Sequence, residues 1–86
     1  MPKNTTYFFY ILRCKDKTLY SGIAKDLNKR LAMHNSGKGS AYVRSRGGGK
    51  IVYSEKFKKI GKALSREAEV KRWPRAKKLL LIKTGK

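Results

Sequence analysis

The stretch that decides the fold lies near the start of the chain, where Tyr7–Leu12 reads YFFYIL and Leu19–Ile23 reads LYSGI. The first run is aromatic and β-branched, with apolar residues at odd and even positions, which is typical of a strand covered on both faces. Lys15–Lys17 (KDK) forms a polar turn between the two runs. The sequence therefore predicts a β-hairpin in which the second run returns beside the first.

Beyond the hairpin, capping and helix-breaking residues divide the chain into further segments. Asp26 is a good N-cap for a helix that runs to about Asn35. Residues 36–49 hold five of the eight glycines and several cations, so a flexible basic loop is expected there, with room for a short turn of helix around Tyr42. The remaining segments are a strand, a helix and a last helix opened by proline: Lys50–Phe57, Gly61–Arg72, and Pro74 to about Lys83.

This order of elements, ββαβαα, predicts the fold class. It is α+β, with a three-stranded antiparallel sheet flanked by helices. A chain of 86 residues can bury one modest core but not two, and no internal repeat is present. We therefore expect a single small domain over residues 1–86, with its core at about 7–82.

The charge of the chain indicates its class of partner. Lys and Arg number 23 against five acids, so the net charge is +18. A surface this positive favours a polyanion, with nucleic acid first and an anionic membrane surface second. The apolar runs Phe8–Leu12 and Leu79–Ile82 are too short to span a bilayer, which needs about 20 residues. The polar start of the chain and the lone Cys14 favour a cytoplasmic protein, which at this charge would associate with the nucleoid.

One carboxylate falls where an apolar helix face is expected. Counting 100° per residue along the helix from Gly61 places Glu67 inside a stripe formed by Ile60, Ala63, Leu64, Ala68 and Val70. A carboxylate amid apolar neighbours is costly unless it is paired or bound to a metal. Two interpretations stay open: Glu67 binds a metal ion, or it pairs with Lys71 one turn later. Glu69 points the opposite way and is expected to be solvated.

Two further pairs of residues have spacings that suit phosphate chemistry. Arg30 and His34, at i and i+4, flank the inward face of the first helix, although each could equally be an ordinary helix residue. Tyr10 and Tyr20 emerge on one face of the hairpin if its loop holds an odd number of residues. Gly22 then lacks a side chain on that face and would leave room for a substrate.

Taken together, these fragments resemble the GIY-YIG nuclease superfamily. The resemblance is carried by Tyr10-Ile11, Leu19 to Ile23, Arg30-Leu31, His34 to Gly37, Ile51 to Glu55, Ala63, Glu67 and Lys71, and it spans about 7–82. The sequence is most similar to the small stand-alone bacterial and archaeal members, and it is also similar to the N-terminal domain of the bacterial nucleotide-excision nuclease.

The resemblance implies roles for five residues. Tyr10 and Tyr20 match the tyrosines of the first and second motifs, of which the second is credited with deprotonating the attacking water. Arg30 matches the arginine that stabilises charge on the scissile phosphate, and His34 matches a position held by His or Tyr. Glu67 matches the metal-binding glutamate. Mg²⁺ or Mn²⁺ is the implied cofactor, and one carboxylate can suffice because phosphate oxygens and water complete the shell.

The expected function is thus a metal-dependent endonuclease that hydrolyses phosphodiester bonds, with DNA favoured over RNA as the substrate. Repair or recombination is the expected setting. No membrane partner is expected, and the sequence leaves open whether a protein partner takes part. A non-catalytic basic nucleic-acid-binding module on the same fold is the alternative. A ribosome- or membrane-surface protein is a second one. The cations expected to hold the flanking backbone are Lys38, Arg44, Arg46, Lys71, Arg72, Arg75, Lys77 and Lys78.

Overall fold

The computed structural model describes residues 6–85. The strands in this part of the chain are β1 (Tyr7–Cys14), β2 (Leu19–Ala24) and β3 (Gly49–Phe57). The helices are α1 (Leu27–Asn35), α2 (Ala41–Ser45), α3 (Ile60–Lys71) and α4 (Arg75–Thr84). Over residues 6–85, no helix combines the length and the apolar character that crossing a membrane requires.

The strands form one antiparallel sheet in the order β2-β1-β3, so β1 is the central strand. Its middle residue Tyr10 lies opposite Gly22 on one side and Ser54 on the other. A strand with neighbours along both edges and helices over both faces needs apolar residues at both parities, which explains the YFFYIL run. The predicted α+β class and three-stranded antiparallel sheet are confirmed.

A β-bulge interrupts the pairing of β1 with β3. Ile11 lies opposite Tyr53 but Leu12 lies opposite Ile51, so Val52 is an extra residue on β3. Val52 and Tyr53 consequently pack against the same group of side chains, whereas Ile51 packs against the other group. The bulge therefore changes which face the first half of β3 serves.

The sheet has two different faces, because successive residues of β1 point to opposite sides. On the first face, here named the tyrosine face, Tyr10, Leu12 and Cys14 pack with Val43 of α2, and the half-buried leucines of α1 complete the cluster. On the second, here named the apolar face, Phe9 and Ile11 are covered by α3 and α4 through Val70 and Leu81.

Local signals explain most of the helix boundaries. The Asp26 carboxylate accepts a hydrogen bond of 3.0 Å from the Lys29 amide, the N-cap that the sequence predicts. In the basic loop, the Ser40 hydroxyl caps α2 by accepting from the Tyr42 amide at 3.1 Å, so the short turn of helix around Tyr42 is present. Pro74 is the N-cap of α4, which begins at Arg75 and ends before the left-handed Gly85.

Candidate active site

The pairing of β1 with β2 brings the two motif tyrosines together. Tyr10 lies opposite Gly22 and Leu12 lies opposite Tyr20, so the two tyrosines are diagonal neighbours on one face. Their ring centroids are 6.4 Å apart, with an interplanar angle of 45°. Residues 14–18 connect the last paired positions, an odd number, and the expectation that such a loop places both tyrosines on one face is confirmed.

Gly22 does not leave room for a substrate, and that prediction is wrong. A Cβ atom added at Gly22 would lie 2.7 Å from the Tyr10 hydroxyl oxygen and 2.9 Å from its Cζ. The space above the glycine is thus filled by the phenol of Tyr10 itself. Gly22 is needed because the Tyr10 side chain crosses directly over its backbone.

His34 joins the two tyrosines. The Tyr10 hydroxyl and His34 Nε2 are 2.9 Å apart, a hydrogen bond between two buried side chains. The ring of Tyr20 packs edge-on against the imidazole at 5.4 Å. The imidazole Nδ1 is buried with no hydrogen-bond partner within residues 6–85, and a Cβ at Gly39 would lie 2.5 Å from it. His34 is therefore held between the tyrosines and the Gly39 backbone.

The environment keeps both members of this hydrogen bond uncharged. Burial raises the pKa of the Tyr10 phenol, Tyr20 raises it further, Arg30 lowers it in part and Glu67 raises it again. Burial also lowers the pKa of the His34 imidazole, and the positive charge of Arg30 lowers it further. A neutral phenol that donates to a neutral imidazole is the arrangement these shifts favour. Arg30 thus influences both groups electrostatically, and Glu67 influences Tyr10.

Glu67 combines features of both interpretations of the sequence. Its side chain is 19% exposed, and it lies on α3 between the buried residues Ala63 and Val70. It also forms an ion pair with Lys71, with Oε2 and Nζ 3.3 Å apart. The predicted stripe itself is partly wrong, since Ile60 and Leu64 are about half exposed. The helix rests on the sheet through a narrower face than periodicity suggested.

The four other acids have local structural tasks. Asp16 accepts hydrogen bonds from Thr18, and Asp26 caps α1. Glu55 accepts two hydrogen bonds from Arg66. Glu69 is exposed, as expected, and it also accepts a hydrogen bond from Arg66. Over residues 6–85, no group of three or more His, Cys, Asp and Glu side chains is placed to hold a metal ion. Glu67 is therefore the carboxylate left for such a role.

Tyr42 is a neighbour of the site that sequence reasoning missed. Its ring centroid lies 5.8 Å from that of Tyr20, and the Arg46 guanidinium covers it at 4.1 Å. Arg46 in turn pairs with Asp16, with Nε and Oδ2 3.6 Å apart. An aromatic residue between cations in a glycine-rich loop was the available signal, because such a ring can only be packed by the arginine or by the sheet.

The eight cations expected at the substrate do not form one surface. Lys38, Arg44 and Arg46 lie on the segment that covers the tyrosine face, and Lys71 and Arg72 lie at the end of α3. The other three of the eight lie on α4, a helix on the apolar face. There the Arg75 guanidinium donates to the Lys17 carbonyl at 2.8 Å. The Lys77 ammonium lies 4.2 Å from the Trp73 ring centroid, and Lys78 is half-buried. The structure does not bring these three next to Tyr10 and His34.

One family profile covers most of the chain. The profile of the GIY-YIG catalytic domain matches residues 6–79, which include all five residues of the candidate site. That family consists of nucleases, so the comparison assigns the chain to a nuclease family and suggests that it binds nucleic acid.

Similar proteins narrow the assignment. A UPF0213 protein of Staphylococcus saprophyticus is 46% identical over 79 residues, covering 92% of this chain and 96% of the relative. One from Staphylococcus aureus is 45% identical over 78 residues, covering 91% and 95%. The solution NMR structure of the UPF0213 protein BH0048 from Bacillus halodurans matches with a TM-score of 0.59 and 38% identity, covering 91% of this chain and 83% of that one. The chain is therefore a small UPF0213 protein that belongs to the GIY-YIG catalytic domain family.

Proposed function

We propose that this chain is a metal-dependent endonuclease that hydrolyses phosphodiester bonds in DNA. The observation that carries the proposal is the buried cluster of Tyr10, Tyr20 and His34, in which His34 bonds to the Tyr10 hydroxyl and the ring of Tyr20 packs beside both. Arg30 and Glu67 both influence the pKa of Tyr10, as charged groups in its surroundings do. A small domain with no chemistry to perform gains little from burying a histidine with an unpartnered nitrogen beside two tyrosines.

The residues of this cluster have separable roles in the proposed reaction. A water oxygen forms a bond to phosphorus while the bond to the leaving 3′ oxygen breaks. Tyr20 is half-buried, and in its deprotonated form the phenolate oxygen would accept the proton of that water. The Arg30 guanidinium would bind the non-bridging phosphate oxygens. Tyr10 and His34 are almost inaccessible, so they would hold Tyr20 in place rather than contact the substrate.

The donor set fits a divalent metal ion of the Mg²⁺ or Mn²⁺ type. Mg²⁺ is commonly held by one or two carboxylates, with water and phosphate oxygens in the remaining positions. Glu67 is half-buried and supplies one carboxylate, which would exchange Lys71 for the metal. A metal bound there would supply positive charge to stabilise the leaving oxygen.

We further propose that the flanking DNA backbone contacts the cations on the segment that covers the tyrosine face and at the end of α3, namely Lys38, Arg44, Arg46, Lys71 and Arg72. The net charge of +18 supports polyanion binding, and backbone contacts of this kind position a strand without reading its sequence. A cytoplasmic, nucleoid-associated protein in DNA repair or recombination is the setting we propose for this activity.

A binding module without catalysis is the alternative, and one observation favours it. The ion pair with Lys71 already satisfies Glu67, so the glutamate has a role that needs no metal. In that case the glutamate would be structural, and backbone binding would depend on charge alone.

The test separates these functions by changing Glu67 and a matched acid on the same helix. Pure protein is incubated with duplex, single-stranded and branched DNA and with RNA, with and without Mg²⁺ or Mn²⁺. We expect Glu67→Gln to abolish cleavage while DNA affinity stays level or rises, because the protein becomes more positive. The melting temperature should change little, because loss of the ion pair with Lys71 is offset by the lower cost of burying a neutral amide in place of a mostly buried carboxylate.

Glu69→Gln is the control, because Glu69 is more exposed than Glu67 and pairs with Arg66 instead. It should leave cleavage intact. Full cleavage by Glu67→Gln would rule out the metal role of Glu67. The Tyr20→Phe protein, purified in the same way, must then be inactive, which shows that no contaminating nuclease is present. Absence of cleavage on every substrate, together with tight binding, would favour the binding module.

A further inference from the structure

A groove beside the candidate site has an apolar lining that the proposed reaction does not use. It lies where α1 and the start of α3 meet the ends of β1 and β2, and its volume is about 420 Å³. Tyr7 and Ile23 line it from the sheet, and Met33 and Ile60 line it from the helices. Met33 is 42% exposed and Ile60 is 48% exposed, so two large apolar side chains face solvent at this position. Exposed apolar surface in a concave position is typical of a binding site.

Cations surround this apolar lining. Lys25, Lys29 and Arg30 all border the groove, and the Lys25 ammonium lies 5.8 Å from the Tyr7 ring centroid. The groove contains one acid, Asp26, whose carboxylate is engaged by the amide at the start of α1. An apolar floor with a cationic rim matches a nucleotide, because the base is flat and largely apolar on its faces while its phosphates are anionic.

Arg30 connects this groove to the candidate site. The same guanidinium that affects the pKa of Tyr10 and His34 also forms part of the groove wall. A phosphate held by Arg30 would therefore have the groove directly beside it. A base stacked within a duplex could not enter, but a base unstacked from its neighbours could.

We propose that this groove holds an unstacked nucleobase of the nucleotide next to the phosphate bound by Arg30. The inference deepens the proposed function and rests on its assignment of Arg30 to the phosphate. It identifies the substrate class as single-stranded DNA, or duplex DNA with unpaired nucleotides. The site is tolerant of base identity, because its lining offers faces and apolar contacts rather than a fixed set of hydrogen-bonding groups.

The test compares binding to a short single-stranded oligonucleotide with binding to the same oligonucleotide carrying abasic sugars at its centre. Both oligonucleotides carry the same phosphate charge. The buffer contains a chelator and no added metal, so that neither strand is cleaved during the measurement. We expect the wild-type protein to bind the intact strand about fivefold more tightly or better, the effect of one stacked base. The double variant Met33→Ser, Ile60→Ser should bind both strands equally.

The matched control is Leu79→Ser, Leu80→Ser on α4, where the side chains are 41% and 59% exposed and lie outside the groove. It should keep the wild-type preference. Equal wild-type affinity for the two strands, or a preference that survives in the groove variant, would overturn the proposal. So would a wild-type dimer that the groove substitutions convert to a monomer, since a second copy would then occupy the groove.

Cleavage assays on the same proteins keep the two proposals distinguishable. A base preference that depends on the groove, in a protein that never cleaves, would support the groove and count against the nuclease. Cleavage by a protein that shows no base preference would support the nuclease and count against the groove.

Discussion

The two faces of the sheet use the same strand in opposite ways. On the apolar face, Phe9 and Ile11 of β1 are fully buried against aliphatic residues of α3 and α4. On the tyrosine face, the alternate residue Tyr10 is just as buried but bonds to His34, whose second nitrogen has no partner within residues 6–85. One face thus maximises apolar packing, whereas the other accepts buried polar groups. Alternate residues of one strand therefore serve different ends, apolar packing on one side and the tyrosine–histidine part of the candidate site on the other.

Tyr20→Phe should produce the largest effect, and on cleavage alone. The ring that packs against His34 and Tyr42 is kept, so the fold should survive. Loss of the Tyr20 oxygen that takes the water proton should lower the cleavage rate by about 10²–10⁴-fold. Cleavage rate and melting temperature are measured on one preparation. Tyr53→Phe, a hydroxyl removed from the apolar face, serves as control and should cleave normally; undiminished cleavage by Tyr20→Phe would remove Tyr20 from the mechanism.

Ile11→Ala should produce the largest effect on stability. The side chain is fully buried on the apolar face, so its removal should lower the free energy of unfolding by about 2–5 kcal/mol. Urea unfolding followed by Trp73 fluorescence measures it. Ile11→Val, expected to cost about 0.5–1.5 kcal/mol, keeps the comparison measurable if the alanine variant does not fold. A loss below that of Tyr10→Phe would contradict the division between the faces.

Tyr10→Phe should have an intermediate effect on stability. It keeps the ring over Gly22 but leaves the buried Nε2 of His34 without its partner, which costs about 1–3 kcal/mol. Tyr53→Phe is the matched variant on the other face. There Glu55 keeps two hydrogen bonds from Arg66, so the loss should stay below about 1 kcal/mol. Equal losses in the two variants would show that the Tyr10–His34 bond contributes nothing particular.

The smallest effect should be a difference in how the two faces respond to acid. Burial and Arg30 lower the pKa of His34 in the folded protein, so the unfolded chain binds its proton first. Stability from the tyrosine face is therefore complete above about pH 6.5, the ordinary histidine pKa, and falls as pH drops below it.

The apolar face should respond at lower pH. Burial raises the pKa of Glu55, but the hydrogen bonds from Arg66 and Tyr53 lower it by more, so its pKa is lowered overall. Its contribution is present above about pH 4.3 and is lost as pH falls further. Melting temperature against pH should show both declines. His34→Gln should remove the upper decline, and Glu55→Gln should weaken the lower one, to which Asp16 also contributes because hydrogen bonds from Thr18 lower the pKa of its carboxyl. A single decline unaffected by His34→Gln would contradict this picture.

The sequence predicted those parts of the molecule that local patterns determine. The hairpin, the Asp26 cap and the position of Tyr10 and Tyr20 on one face of the sheet all follow from residues close together in the chain. The partners that define each face are distant in sequence, as Tyr10 is from His34 and Glu55 from Arg66. No local pattern could reveal them, because side chains at such separations meet only after the strands and helices have packed.

Two predictions were wrong for the same reason, because a sequence pattern does not give the shape of the packed surfaces. The stripe on α3 was drawn too wide because periodicity gives the apolar residues of a helix but not the width of the surface that receives them. Gly22 was expected to leave an open space because the direction of the Tyr10 side chain across β2 is a matter of packing. Sequence reasoning could place these residues on faces of strands and helices, but it could not give the space between their side chains.

The central position of β1 also has a consequence for the order in which the protein forms. Its hairpin with β2 needs only a short turn, and such hairpins form within about 10 μs, whereas β3 must arrive across residues 15–48. Tyr10, Tyr20 and His34 all belong to the first 35 residues of the sequence, while the helices that cover Phe9 and Ile11 come last. During synthesis, which proceeds from the N-terminus, we expect the part of the site formed by Tyr10, Tyr20 and His34 to emerge before Glu67 on α3. The apolar side of β1 would stay open to chaperones until α4 leaves the ribosome.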